Sequence, residues 1–152
     1  MKISVTDIKK LREETGAGVA DCRITLEEAQ GDLKRAKEIL KARGIEKAAK
    51  KAQRVVGQGL IETYVHSGGT VASMVEVLCE TDFVAKTDEF KKLTHELAMQ
   101  VAAMDPADVD ELMHQEYIRD GSLEIEDLVK ETIAKVGENI KVARFIRFEL
   151  GS

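Results

Sequence analysis

The period of the apolar residues changes at Gly57, and this change constrains the fold more than any other feature of the chain. Before it, apolar side chains recur at steps of three and four, which is the spacing of one helix face. Beyond it they alternate, as on a strand with one buried face. Val5, Ile8 and Leu11 follow Ser4 and Thr6, either of which can cap, and Gly16 with Gly18 breaks the run. Val19, Cys22, Leu26 and Ala29 repeat the pattern up to Gly31. Leu33, Ala36, Ile39 and Leu40 form a third run, opened by Asp32 and closed by Gly44. Residues 1–45 therefore read as a three-helix module. Its core is thin, which suits a binding surface better than independent stability. Residues 46–57 are dense in positive charge without an apolar stripe and read as a basic connector, helical in part.

Residues 58–152 read as an α+β core. Leu60 to His66, then Ser67-Gly68-Gly69, then Val71 to Cys79 predicts a β-hairpin. Val71, Ser73, Val75, Val77 and Cys79 point one way on its second strand, and Glu76 and Glu80 point the other, so one face is wet. A helix follows with Phe90, Leu93, Leu97, Val101 and Met104 on one stripe, Asp88 as a candidate cap and Pro106 beyond its end. Residues 105–121 carry no strong period and read as a loop with a short helix. Ile125, Leu128, Val129, Ile133 and Val136 give another amphipathic helix, stopped by Gly137. Ile140 to Leu150 is rich in β-branched and aromatic residues and predicts a third strand joining the hairpin. The expected fold class is α+β, a three-helix module followed by a three-stranded antiparallel sheet packed with helices.

Charge and composition narrow the function. The net charge of the 152 residues is −5, but residues 34–54 hold nine basic side chains against two acids, a local +7, and residues 105–131 hold ten acids against two bases, a local −8. Such asymmetry either steers a partner, holds two parts of the molecule together, or is a set of solvated helix faces. With four Phe, two Tyr and no Trp, the chain has little with which to stack bases, and no nucleic-acid partner is expected. Cys22 and Cys79 stand far apart without ligand spacing, so they read as reduced, buried thiols rather than a metal site. Neither a secretory signal nor a membrane span is apparent, and the expected location is cytoplasmic. Neither Gly16-Ala17-Gly18 nor Gly57-Gln58-Gly59 completes a nucleotide-binding motif, and these glycines read as turn residues. His66, His95 and His114 each lack a nucleophile or carboxylate at a recognisable spacing. No catalytic residue, metal or cofactor is expected, and the chain does not read as an enzyme.

One polar-apolar segment remains, Glu80-Thr81-Asp82-Phe83-Val84-Ala85-Lys86, where the second strand hands over to a helix. Extending the strand alternation puts Phe83 beside Val77 and Cys79 and buries it, the reading sequence physics alone favours. The alternative is that Asp82 and Phe83 project from a rigid strand end. There a Phe can fill a partner's pocket and a carboxylate can bond its backbone donors. Composition does not decide between them.

At this point the chain resembles the translation elongation factor Ts family, guanine nucleotide exchange factors of elongation factor Tu. The resemblance rests on Ile8-Lys9-Lys10-Leu11-Arg12-Glu13-Glu14-Thr15-Gly16-Ala17-Gly18 with Asp21-Cys22, on Lys47-Ala48-Ala49-Lys50-Lys51-Ala52, on Glu80 to Lys86, and on Ile133-Ala134-Lys135-Val136-Gly137-Glu138-Asn139-Ile140 leading to Phe145-Ile146-Arg147-Phe148-Glu149. Four blocks in order span nearly the whole chain. The resemblance implies that residues 1–45 are a ubiquitin-associated-like module and that residues 58–152 form the core and dimerisation domain. It also implies that Thr81, Asp82, Phe83 and Val84 reach into the partner's GTPase domain and help dislodge the Mg²⁺ of its nucleotide. Arg12, Val19 and Ala20 would sit where the module touches that domain, although larger methionines are common at the last two positions.

The same resemblance implies a homodimer. Long members carry two halves in the core, whereas only one fits here, and compact forms supply the other by pairing two subunits, with residues 105–125 resembling a shortened substitute. The expected surface is the three-stranded sheet. The competing expectation is a protein-protein adaptor whose three-helix module binds some other protein.

Overall fold

Helix α1, Val5–Thr15, begins where the Ser4 hydroxyl accepts the Asp7 amide and ends at Gly16, whose φ of +71° lets its N–H return to the Arg12 carbonyl. The computed structural model describes residues 2–152. Helix α2, Val19–Glu28, follows, and α3, Leu33–Lys51, starts at Asp32, whose carboxylate accepts the amides of Lys34 and Arg35. Leu11, Cys22, Leu26, Ala29 and Ala36 form the small core between them. The expected stop at Gly44 does not occur. Helix α3 runs on to Lys51 and takes in half of the stretch read as a connector. The glycine serves packing instead, since a Cβ there would lie 3.1 Å from the Ala134 Cβ.

The hairpin is formed by β1, Gln58–Val65, and β2, Val71–Cys79, antiparallel with Gln58 opposite Cys79 and Val65 opposite Ala72. Gly59 is a strand residue paired with Leu78, where the sequence reading expected a turn. Helix α4, Asp82–Ala85, is a single turn, and α5, Asp88–Met104, crosses the sheet with Phe90, Leu93, Leu97 and Val101 buried and Met104 about half exposed. The cap of α5 is Thr87, whose hydroxyl accepts the Phe90 amide, and Asp88 is its first helical residue.

Residues 105–124 hold more structure than their pattern predicts. Helix α6, Val109–His114, leads into a small hairpin of β3, Glu116–Tyr117, and β4, Asp120–Glu124. Two buried polar side chains of α5 hold it. Gln100 donates to the Glu116 carbonyl and accepts the Ile118 amide, both at 3.0 Å, and Glu96 accepts from the Tyr117 hydroxyl and Arg119 at 2.6 Å. No local period announces such anchors, because they sit on another element. Helix α7, Ile125–Val136, ends at Gly137 with φ +78°, and β5, Ile140–Glu149, pairs antiparallel with β2 to give the sheet order β1-β2-β5.

Val75, Val77, Cys79 and Val142 turn inward onto α5 and join the core that α7 completes from beyond that helix. On the outer face Ile61, Val65, Met74, Ile146 and Phe148 are exposed. Five of the nine bases of the 34–54 run pair with acids from neighbouring elements: Lys37 with Glu14, Arg43 with Glu28, Lys47 with Asp21, Lys41 with Glu131 of α7, and Arg54 with Glu80 beyond β2. Each exposed pair contributes only about 0–1 kcal/mol. Together they join the three-helix unit internally and to the core, which is one of the roles the charge asymmetry allowed. No helix among the described residues is long and apolar enough to cross a membrane.

Candidate functional site

The site is built on Thr81, Asp82, Phe83 and Val84, which begin one residue beyond the end of β2. Thr81 is extended, with φ −128° and ψ 156°, and its hydroxyl accepts the Val84 amide at 3.4 Å, so the backbone coils into a turn instead of continuing the strand. This hydroxyl donates in turn to Glu138 Oε2 at 2.7 Å, and the Thr81 amide donates to Glu138 Oε1 at 2.9 Å. The Thr81 carbonyl accepts the Ala85 amide at 3.3 Å and the Cys79 thiol at 3.1 Å. All the polar groups of Thr81 are thus engaged within the chain. At the far end Thr87 donates its hydroxyl to the Val84 carbonyl at 2.7 Å, and α5 begins.

Coiling rotates the side chains away from strand alternation. Val84 and Ala85 turn into the core, and Phe83 points outward, 81% exposed. Its burial beside Val77 and Cys79 does not occur, and the strand end of the alternative reading is a helical turn. Asp82 is also exposed and lies 3.5 Å from Lys86. Of the four expected contact residues, Asp82 and Phe83 face solvent, Thr81 supports the turn and Val84 anchors it. Burial pushes the Cys79 thiol above its usual range, and the nearby Glu138 carboxylate adds to the effect.

Arg12 on α1 and Val19 and Ala20 at the start of α2 are all exposed, Val19 by 52%. The sequence reading gave no role to Glu138 or Asn139, which follow the end of α7. Asn139, almost fully buried, donates to the carbonyls of Ala52 and Arg54 at 3.4 and 2.9 Å. Both residues act across more than fifty positions, so no local spacing signals their partners. A cleft of about 370 Å³ lies between the α1–α2 junction, α3 and α7, lined by glycine backbone and by Lys37, Lys41, Lys47 and Glu131, all of them ion-paired. Among the described residues no group of three or more His, Cys, Asp or Glu side chains could hold a metal ion.

The family model described as Elongation factor TS matches residues 80–152, a span that opens at the Phe83 turn and closes at the end of the chain. Elongation factor Ts of Thermoanaerobacter sp. (strain X514) is 42% identical over 194 aligned positions, covering 98% of this chain and 95% of that protein. The Herpetosiphon aurantiacus protein of the same name is 42% identical over the whole of both chains, and that of Thermotoga maritima 43% identical over 99% of this chain and 98% of its own. An alignment of 194 positions exceeds the 152 residues available, so at least 42 positions of the Thermoanaerobacter alignment have no counterpart here. With identity above 40% running the length of the chain, and the exposed Phe83 turn inside the matched span, this chain belongs to the elongation factor Ts family.

Proposed function

We propose that this translation elongation factor is a guanine nucleotide exchange factor for elongation factor Tu and that it acts without catalytic residues of its own. The observation that carries the reading is Phe83, a large apolar ring held in water at the tip of a tied turn. Leaving such a ring exposed forfeits burial worth about 1.5–3 kcal/mol, which its insertion into a partner's pocket would recover. Tight nucleotide binding depends on backbone donors around the phosphates and on a magnesium ion, so a ring that shifts the surrounding helices weakens both. Asp82, beside it, can accept the backbone donors that this shift exposes. Couplings between binding sites are reciprocal, so incoming nucleotide weakens the factor as much as the factor weakened the nucleotide, and the factor leaves.

Arg12, Val19 and Ala20 offer a second contact on the three-helix unit, which we read as ubiquitin-associated-like. The outer face of the sheet supports a homodimer, and free, buried Cys22 and Cys79 fit a cytoplasmic setting. The test is release of labelled GDP from elongation factor Tu. Wild-type protein accelerates it and Phe83→Ala loses most of the acceleration, while folding stability changes by no more than about 0.5 kcal/mol because the ring packs on little. An adaptor would leave GDP release unchanged. A Phe supporting the fold would instead cost about 3–5 kcal/mol on truncation.

A further inference from the structure

We infer that Glu138 is a positioning residue for Phe83: its carboxylate, reaching from the turn between α7 and β5, holds Thr81 and so fixes the direction in which the ring leaves the protein. The inference rests on the exchange reading above and adds to it a residue that acts through Thr81.

The geometry separates the two ends of α4. Its rear is secured by burial of Val84 and Ala85 and by the Thr87 hydroxyl. Its front, the end that carries Asp82 and Phe83, is defined by Thr81. A four-residue helix is far too short to persist by itself, so its shape depends on its cap. The cap depends in turn on Glu138, because one carboxylate takes both the Thr81 amide and the Thr81 hydroxyl, at 2.9 and 2.7 Å. Hydrogen bonds to an ionised acceptor are the stronger kind. With the hydroxyl proton committed to Glu138, a Thr81 lone pair is aimed at the Val84 amide. Without Glu138 the hydroxyl is free to rotate, the Thr81 amide turns to water, and Phe83 samples several directions.

Closing the turn after α7 does not require this carboxylate. The neighbouring Asn139 is buried and ties residues 52–54 to the same turn, while Gly137 ends the helix with its own N–H on the Ile133 carbonyl. Glu138 is therefore free to serve the Phe83 turn, and its loss should be felt in exchange more than in stability.

The experiment uses the full chain and elongation factor Tu loaded with fluorescent GDP. Release is followed over a range of factor concentrations to separate the maximal rate from the half-saturating concentration. Glu138→Ala should lower the maximal rate about tenfold, the low end of what losing hydrogen bonds to a charged acceptor costs, and leave the half-saturating concentration within about twofold. Glu138→Gln, whose carbonyl oxygen still accepts, should restore most of the rate. Thr81→Val combined with Glu138→Ala should be no slower than the slower single variant, since both act through one contact. In the free protein, amide hydrogen exchange at Thr81 and Val84 should speed up in Glu138→Ala and not in Phe83→Ala. A wild-type maximal rate in Glu138→Ala, unchanged protection of those two amides, or additive losses in the double variant would overturn the inference. If Phe83→Ala exchanges normally while Glu138→Ala frees the amides, the exchange reading fails and the positioning stands. If Glu138→Ala does not fold, Thr81→Val, which removes the hydroxyl that Glu138 holds, carries the same comparisons, and a wild-type rate and protection in it overturn the inference.

Discussion

A Cβ on Gly59 would lie 2.0 Å from the backbone oxygen of Val77, and the residue's φ of +153° is one that side chains rarely adopt. The hairpin therefore needs glycine here for close approach of two strands, a demand that the surrounding residues do not reveal. Gly59→Ala should destabilise the protein by at least about 2 kcal/mol, measured by urea unfolding, whereas the same change at exposed Gly57, with open space around it, should be near neutral. Phe83 carries the same lesson for the site. Alternation along β2 was correctly legible as far as Cys79. It ceased to apply at Thr81, where a side-chain oxygen took over an amide, and the residue that stabilises that oxygen is Glu138, 57 positions away. Burial of Phe83 is thus the reading the segment alone favours, and the opposite reading, open there as an alternative, is preferred only through the resemblance.

The long elements were legible because their periods are strong: α5 buries its stripe from Phe90 to Val101, and β5 joins the hairpin as its composition predicts. The small hairpin β3–β4 was not, because its anchors Glu96 and Gln100 are polar residues inside another helix. At this scale Gly44 is the point where α3 meets α7. Filling it with a side chain larger than methyl should force the helices apart, so Gly44→Leu is expected to cost about 1–3 kcal/mol by overpacking, read as a lowered urea midpoint. A pH effect belongs to α6. His114 Nδ1 lies 2.8 Å from the Asp110 carbonyl, and this hydrogen bond, aided by the Asp110 carboxylate, raises the His114 pKa above its ordinary 6.5. The charged form is therefore favoured in the folded state. Its contribution is fully present below the unfolded value and is lost as pH rises through the folded one. An NMR titration should place the His114 midpoint above 6.5. Asp110→Asn, which leaves the carbonyl contact in place, should lower that midpoint only part of the way to the ordinary value.

For the whole molecule, surface area is the informative quantity. A chain of 16.8 kDa ordinarily exposes about 7,600 Å², whereas this one exposes 9203 Å². The surplus, about 1,600 Å² on that scaling, is of the size that specific association conceals, and Ile61, Val65, Met74, Ile146 and Phe148 are exposed together on one sheet face. Register places Met74 opposite Ile146 and Ala72 opposite both Phe148 and Val65, so these side chains form one continuous patch. At one end of it Glu76 pairs with Arg144 at 2.6 Å. The Thermoanaerobacter relative has at least 42 aligned positions that this chain lacks, and Ile61, Val65, Met74, Ile146 and Phe148 of that face all stay exposed. A second copy would supply a matching surface by symmetry, because a sheet with an apolar face can pack on its own image at the spacing of a β-sandwich. Sedimentation equilibrium at tens of micromolar should accordingly give twice the chain mass. Ile146→Lys with Phe148→Lys should return it to the mass of one chain, by placing two charges on the patch without disturbing the inward residues Val75, Val77 and Val142. The helical circular dichroism should be unchanged in that variant. A wild-type particle of one chain mass at the same concentration would mean that the patch is reserved for the partner, and the double lysine variant would then lose exchange activity while its own mass stayed constant.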